Sequence, residues 1–398
     1  MEVNQKYVMP LLFLFLYLPF FISIPAARAA PTKQTDSKNT TFTAFYVFGD
    51  STVDPGNNDY IDTAFRSNFP PYGKDFYNHM PTGRFSNGRL TTDFAASYAG
   101  IKESVPPYLD PTLSMEELIT GVSFASAASG LDPLTARINV SLSHQHSSPI
   151  FCFIFFHFLF CFHFHQSVID MAKQLEYFKE YKRKVQTTIG KQRMENHIKK
   201  AGFLISSGTN DFMVNYFSLP LRRQTFTVSA YQQFMLQTAT QFIQSLWKEG
   251  ARMIAVSGLP PMGCLPAVIT LFSDNANILE RGCIEKFNTV ARDFNRMLQN
   301  EVNELNITNT LGARLYYVDI YAPLIDMIQG RSKVEFDDVS NGCCGTGYLE
   351  AAFLCNPESY VCADASKYVF WDSIHPTEET YGKIFNEFRF VLDNYFKM

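Results

Sequence analysis

An excess of one charge sign is what this 398-residue chain most plainly lacks: 34 Lys and Arg stand against 38 Asp and Glu, with no basic tail or Lys/Arg cluster. A nucleic-acid partner is excluded, because nothing in the chain offers a surface that tracks phosphates. Histidine is also scarce, eight in all, and five of those crowd into residues 141–166. No H-E-x-x-H occurs, which argues against a zinc hydrolase, and no G-x-S-x-G occurs, which argues against the nucleophile elbow of an ordinary α/β-hydrolase. No internal repeat and no linker divides the chain. What remains, 46% hydrophobic and 18% charged residues, is globular composition.

Two segments fall outside the fold. Leu11 to Ile24 is an apolar run that follows Lys6 and leads to Ala27-Arg28-Ala29. It is shorter than the roughly 20 residues a bilayer crossing needs, and small residues occupy the positions a signal peptidase reads. Residues 1–29 therefore read as a signal peptide, and the chain as secreted and extracellular, with no transmembrane anchor. The second segment, within Val140–Gln166, holds eight Phe, five His and two Cys and no charged residue. Its residue types share pyrimidine-rich codons, Val140 can begin GT and Gln166 can be CAG, so it reads as a retained intron. Without both segments roughly 340 residues remain, enough for one α/β domain spanning 30–398 and interrupted at 140–166.

Six cysteines then remain: Cys264, Cys283, Cys343, Cys344, Cys355 and Cys362. An even number in a secreted chain implies three disulfides, with the pairing open except that the adjacent Cys343 and Cys344 take different partners. No His lies near them and their spacing does not fit a zinc ribbon. Asn39-Thr40-Thr41 and Asn306-Ile307-Thr308 are glycosylation acceptors on the same premise.

Short apolar runs end in small polar turns: Phe45–Phe48 at Gly49, Val122–Phe124, Phe203–Ile205 at Ser206, Met253–Val256 before Gly258, and Leu315–Val318 at Asp319. These read as about five buried parallel strands. Tyr231, Phe234, Phe242 and Leu246 mark a helix that Gly250 ends, and 277–305 a second. The expected class is α/β, a three-layer α/β/α sandwich of flavodoxin-like form. Functional groups in such sheets gather at the carboxyl ends of the strands, which puts Gly49-Asp50-Ser51, 125–130 and Gly208–Asp211 on one rim.

Near the C-terminus stands Trp371-Asp372-Ser373-Ile374-His375-Pro376. A serine nucleophile needs a base, and the base needs a partner that fixes its tautomer; an Asp three residues before a His supplies both from one segment. Pro376 keeps His375 out of helical geometry, so the pair belongs in a loop ahead of a terminal helix. Of the other histidines outside 141–166, His197 lies among charges, as on a solvated helix, and His79 sits in a loop with no suitable carboxylate. Ser51 follows a strand, and its hydroxyl is expected exposed at a helix N-terminus. Asn210 offers its side-chain amide as an oxyanion donor, and Asp50 and Asp211 are expected to hold their loops. Gly-Asp-Ser alone arises by chance in roughly one chain in ten of this length, so the order of the three elements carries the argument.

This combination resembles the GDSL esterase/lipase family of secreted plant hydrolases, within the SGNH group. The blocks are FGDSTVDPGNNDY at 48–60, TGRFSNGR at 82–89, GVSFASAASG at 121–130, GTNDF at 208–212, GLPPMGCLP at 258–266 and FWDSIHPTE at 370–378. The resemblance implies Ser51 as nucleophile, His375 as base and Asp372 as its partner. It also implies an oxyanion hole of the Ser51 N–H, the N–H of a glycine in the third block, where Ala128 stands here, and Asn210. Implied too are a monomer, a small-molecule or polymer-linked ester as substrate, and no metal or organic cofactor. A catalytically silent binding glycoprotein on the same scaffold and an acyltransferase are the alternatives.

Overall fold

The computed structural model describes residues 42–137, 168–274, 279–332 and 335–396, together with the backbone of 141–142 and 162–163. The expected signal peptide, the Asn39 acceptor and nearly all of the 140–166 segment lie outside the described residues. Inside it, only Ser141–Leu142 and Phe162–His163 are described, as an antiparallel pair.

Four parallel strands form the main sheet: β1 (Phe45–Gly49), β2 (Gly202–Ser206), β3 (Met253–Ser257) and β4 (Arg314–Val318), side by side in that order. Side chains alternate across a strand, so each strand feeds two layers. Tyr46, Phe48, Phe203, Ile205, Ile254 and Val256 enter the large core on one face, while Val47 and Leu204 enter a smaller core on the other. Burial on both faces is why these runs read as continuously apolar rather than alternating.

The fifth expected strand contributes less than a strand. Val122–Phe124 lies along the open edge of β1 and forms only isolated parallel bridges, Ser123 to Val47 on one side and to Pro107 on the other, with Phe124 N–H donating to the Val47 carbonyl at 2.8 Å and Val47 N–H to the Val122 carbonyl at 3.2 Å. Gly121 at φ 99° turns the chain just before it, and the turn at 126–130 ends it.

Helices cover the sheet. They include α1 (Thr91–Tyr98), α2 (Met171–Ile189), α3 (Val228–Lys248), α4 (Glu285–Thr308), α5 (Tyr321–Ile328) and α6 (Glu378–Phe396). The helix marked by Tyr231 and Phe242 is α3, opened by a Thr227 cap that accepts from the Ala230 N–H. The helix expected over 277–305 begins only at Glu285, because Cys283 is tied back to Cys264. Asn306 falls in the last turn of α4, where its amide both donates to the Leu315 carbonyl and accepts the Leu315 N–H.

A second, two-stranded parallel sheet, β5 (Asp338–Gly342) with β6 (Tyr368–Phe370), delivers the chain to the Trp371–Pro376 loop. The remaining disulfides, Cys343–Cys362 and Cys344–Cys355, brace that region, and adjacent cysteines do take different partners. The Cys343 and Cys344 N–H groups donate to the carbonyls of Phe370 and Trp371, fixing the start of the loop. No described helix is long and apolar enough to cross a membrane.

Candidate active site

Ser51 sits one residue beyond Gly49-Asp50 at the carboxyl end of β1. Gly49 has φ 142°, and a Cβ there would meet the Ser206 carbonyl oxygen at 1.9 Å, so only glycine lets the chain turn so close to β2. The Gln174 amide of α2 holds this turn from behind, accepting the Gly49 N–H and donating to its carbonyl, both at 2.9 Å.

The expected helix N-terminus at Ser51 does not form. Residues 51–54 make a turn, because Pro55 lacks an N–H and Asp54 accepts the N–H groups of Gly56 and Asn57 in its own tight turn. A helix dipole therefore gives Ser51 no help. Nor is its hydroxyl exposed: Ser51 is 8% and His375 4% accessible.

Ser51 and the distant Asp372–His375 pair come together. Ser51 Oγ lies 2.8 Å from His375 Nε2, and His375 Nδ1 lies 2.9 and 2.8 Å from the two oxygens of Asp372. Asp372 is fully buried; its Oδ1 also accepts the Ile374 and His375 N–H groups, and its Oδ2 accepts the Tyr72 hydroxyl at 2.8 Å. The Phe85 ring packs 5.0 Å from the imidazole. The second block also anchors the loop that follows: Ser86 donates to the Pro376 carbonyl, and Asn87 accepts the Glu378 N–H.

The third block faces the same turn from the far side of β1. Ser126 N–H and Ser129 hydroxyl both donate to the Gly49 carbonyl. Ala128 adopts φ 65°, the left-handed region that favours glycine. Asn210 Nδ2 donates to the Ser129 carbonyl at 2.9 Å, which orients the amide and leaves its second hydrogen directed elsewhere.

Asp50 and Asp211 hold loops, as expected, and their partners are now visible. Asp50 accepts the N–H and hydroxyl of Thr52; burial pushes its carboxyl up to about 6 against those bonds. Asp211 accepts from Leu131, Asp132 and the Thr135 hydroxyl, and burial pushes it up to about 7. His197 is a correction: it lies half-buried in the helix over 191–199, and burial lowers its pKa. His79 is exposed in a short turn away from these groups.

Sequence reasoning missed Tyr72, and it missed what Asp54, Asn57 and Asn58 do. Asp54 Oδ2 accepts the Ala127 N–H, Asn57 donates to the carbonyls of Ser123 and Ala125, and Asn58 donates to that of Ala127. The first block thus clamps the backbone of the third. Among the described residues no group of three His, Cys, Asp or Glu side chains is placed to hold a metal ion.

A family model described as GDSL-like Lipase/Acylhydrolase matches residues 45–388. The chain is similar to the GDSL esterase/lipase At5g45960 of Arabidopsis thaliana, 53% identical over 92% of this chain and 91% of the relative. From the same organism, GDSL esterase/lipase At1g06990 is 42% identical over 85% of this chain and 86% of its own length. GDSL esterase/lipase APG is 42% identical over 84% and 86%. Every element of the geometry above lies inside the matched span, and the chain belongs to the GDSL-like lipase/acylhydrolase family.

Proposed function

We propose that this hydrolase of ester bonds works through an acyl-enzyme on Ser51, with His375 as general base and Asp372 as its positioning partner. His375 Nε2 takes the hydroxyl proton while Ser51 Oγ bonds to the ester carbonyl carbon, and the carbonyl π electrons move to oxygen. The oxyanion is held by the N–H groups of Ser51 and Ala128 and by the Asn210 amide. As the C–O bond to the alcohol breaks, His375 returns the proton to the leaving oxygen. Water then repeats the sequence on the acyl-enzyme, giving the carboxylic acid and free Ser51.

The observation that carries this reading is the 2.8 Å approach of Ser51 Oγ to His375 Nε2 with a buried carboxylate behind the ring. The test is turnover of 4-nitrophenyl butyrate by the purified protein beside Ser51→Ala. We expect the variant to lose at least about 1,000-fold in kcat; equal rates would remove the mechanism.

The processing of the chain belongs to the same reading: secretion, with residues 1–29 removed, and a domain that does not need 140–166. Supporting the second point, the chain on either side of that segment is already close. Arg137 reaches to 3.9 Å from Asp170, and the Ile169 N–H donates to Ser126 in the third block. Protein recovered from a secreting host should begin at Ala30; an intact leader in the medium would contradict the cleavage.

A further inference from the structure

At Gly49 a side chain takes the place of a backbone partner. Val122–Phe124 runs parallel to β1, with Val47 N–H donating to the Val122 carbonyl and Phe124 N–H to the Val47 carbonyl. In a parallel ladder the next two bonds join Gly49 N–H to the Phe124 carbonyl and Ser126 N–H to the Gly49 carbonyl. Of these the second is made, at 3.0 Å. The Gly49 N–H goes instead to Gln174 Oε1 at 2.9 Å, so a side-chain amide is wedged between the two segments where a rung of the ladder is due.

Every hydrogen-bonding atom of this wedge is used. Gln174 is fully buried in the first turn of α2, whose start is set by the Asp170 side chain accepting the Lys173 N–H. Its Nε2 hydrogens face three acceptors: the Gly49 carbonyl at 2.9 Å, the Ile169 carbonyl at 3.1 Å and the Ser129 hydroxyl at 3.3 Å. The Ser129 hydroxyl in turn donates to the Gly49 carbonyl at 2.8 Å. The Gly49 carbonyl thus accepts from Ser126, Ser129 and Gln174, while the Asp50 N–H donates to the Ser206 carbonyl at 3.1 Å. The peptide group between Gly49 and Asp50 is held at both ends. A reversed amide would set its NH2 against the Gly49 N–H, so a single orientation satisfies the site.

Ser51 stands two residues after Gly49, and Ala128 immediately before Ser129. These carry the two backbone N–H groups that the acyl-enzyme reading gives to the oxyanion. Two donors serve one oxygen only if each comes within about 2.7–3.1 Å of it. Their separation depends on the gap between the Gly49 turn and the third block, and Gln174 bonds to both sides of that gap.

We propose that Gln174 is a positioning residue for the oxyanion hole: its amide spaces the nucleophile turn from the third block so that the Ser51 and Ala128 N–H groups converge on one oxygen. The inference rests on the acyl-enzyme reading above and deepens it. Gln174 is buried away from substrate, so its effect falls on kcat and not on KM.

The test measures kcat and KM for 4-nitrophenyl butyrate, and the Ki of butaneboronic acid, whose tetrahedral adduct on Ser51 places a boronate oxygen in the oxyanion position. Wild type is compared with Gln174→Leu, Gln174→Asn and Gln174→Glu. Leu removes the wedge, and Asn keeps an amide but draws it back by one methylene. Each should lose at least about thirtyfold in kcat with KM nearly unchanged, and the boronate Ki should rise by a similar factor. Protonated Glu restores the wedge, because a carboxylic acid offers an acceptor and a donor in the same places. Burial favours that form, so at pH 6 Gln174→Glu should exceed Gln174→Asn at least about tenfold in kcat. Where Leu does not fold, Asn and Glu decide. Variants that unfold at lower urea yet keep wild-type kcat and boronate Ki while folded, or a loss that Glu does not relieve at pH 6, overturn this inference alone, Ser51→Ala remaining inactive. A Ser51→Ala variant as active as wild type removes the acyl-enzyme reading and this inference with it.

Discussion

Tyr72 and Asp372, 300 positions apart in the chain, share a buried hydrogen bond of 2.8 Å. The same hydroxyl accepts the Ala352 N–H at 2.8 Å, so Tyr72 ties the loop before α1 to the disulfide-braced segment and, through Asp372, to the imidazole. Burial and the Asp372 carboxylate push the Tyr72 pKa well up, keeping the phenol a donor. Tyr72→Phe removes that donor and strands a buried N–H. We expect about 1–3 kcal/mol less stability by urea unfolding. On the proposed mechanism kcat should fall about tenfold with KM nearly unchanged, because Tyr72 positions the carboxylate without touching substrate. A stability loss with unchanged kcat would make its role structural only.

Asp50 gives the protein a pH dependence whose sign follows from burial. Its carboxyl is raised from 3.8 to about 6 in the fold, so between those values the folded state binds a proton that the unfolded state has lost. Its contribution to stability is therefore fully present below about pH 4 and withdrawn as pH rises to 6, a change of up to about 3 kcal/mol. Asn at this position keeps an oxygen for the Thr52 bonds and does not titrate. The stability of wild type relative to Asp50→Asn should fall from pH 4 to 6 and then stay level, by chemical unfolding across pH. A difference that is constant over that range would refute the assignment.

Ala128 occupies φ 65° where the family resemblance expects glycine. An L-residue there carries roughly 1–2 kcal/mol of backbone strain, against about 0.4–1 kcal/mol that glycine costs through the freer unfolded chain. Ala128→Gly should raise stability by about 0.5–1 kcal/mol and leave kcat equal or higher. A lower melting temperature would mean that the methyl group contributes packing that outweighs the strain.

What the sequence could reveal depended on whether a residue's role was local. Asp372 and His375 lie three apart on one loop, and the small polar turns mark the sheet rim, so the residues that meet around Ser51 and the layered fold were both legible. Val122–Phe124 has a strand's composition, but whether it pairs beyond isolated bridges depends on Gly121 and the turn after it. Tyr72 was invisible because a tyrosine's partner 300 residues away leaves no spacing to read. The helix expected at Ser51 failed on Pro55, a signal that was present in the sequence: the Asp54 turn it allows takes the N–H groups a helix would have used.

The segment 140–166 offers the most economical test of the domain reading. If it is a retained intron, its removal joins Asn139 to Ser167 and leaves three residues, 138, 139 and 167, between Arg137 and Val168. The ion pair between Arg137 and Asp170 shows that the flanks lie within reach of so short a connection. Ile169 already bonds Ser126, and Gln174 the Gly49 turn, so the shortened chain meets the same supports behind Ser51. Eight phenylalanines without a charged residue are an aggregation hazard in any exposed setting. The deletion variant should therefore be more soluble than the full chain and at least as active per folded molecule, measured by active-site titration with a serine-reactive phosphonate. An insoluble or untitratable deletion variant beside a soluble, titratable full chain would show that the domain requires these residues.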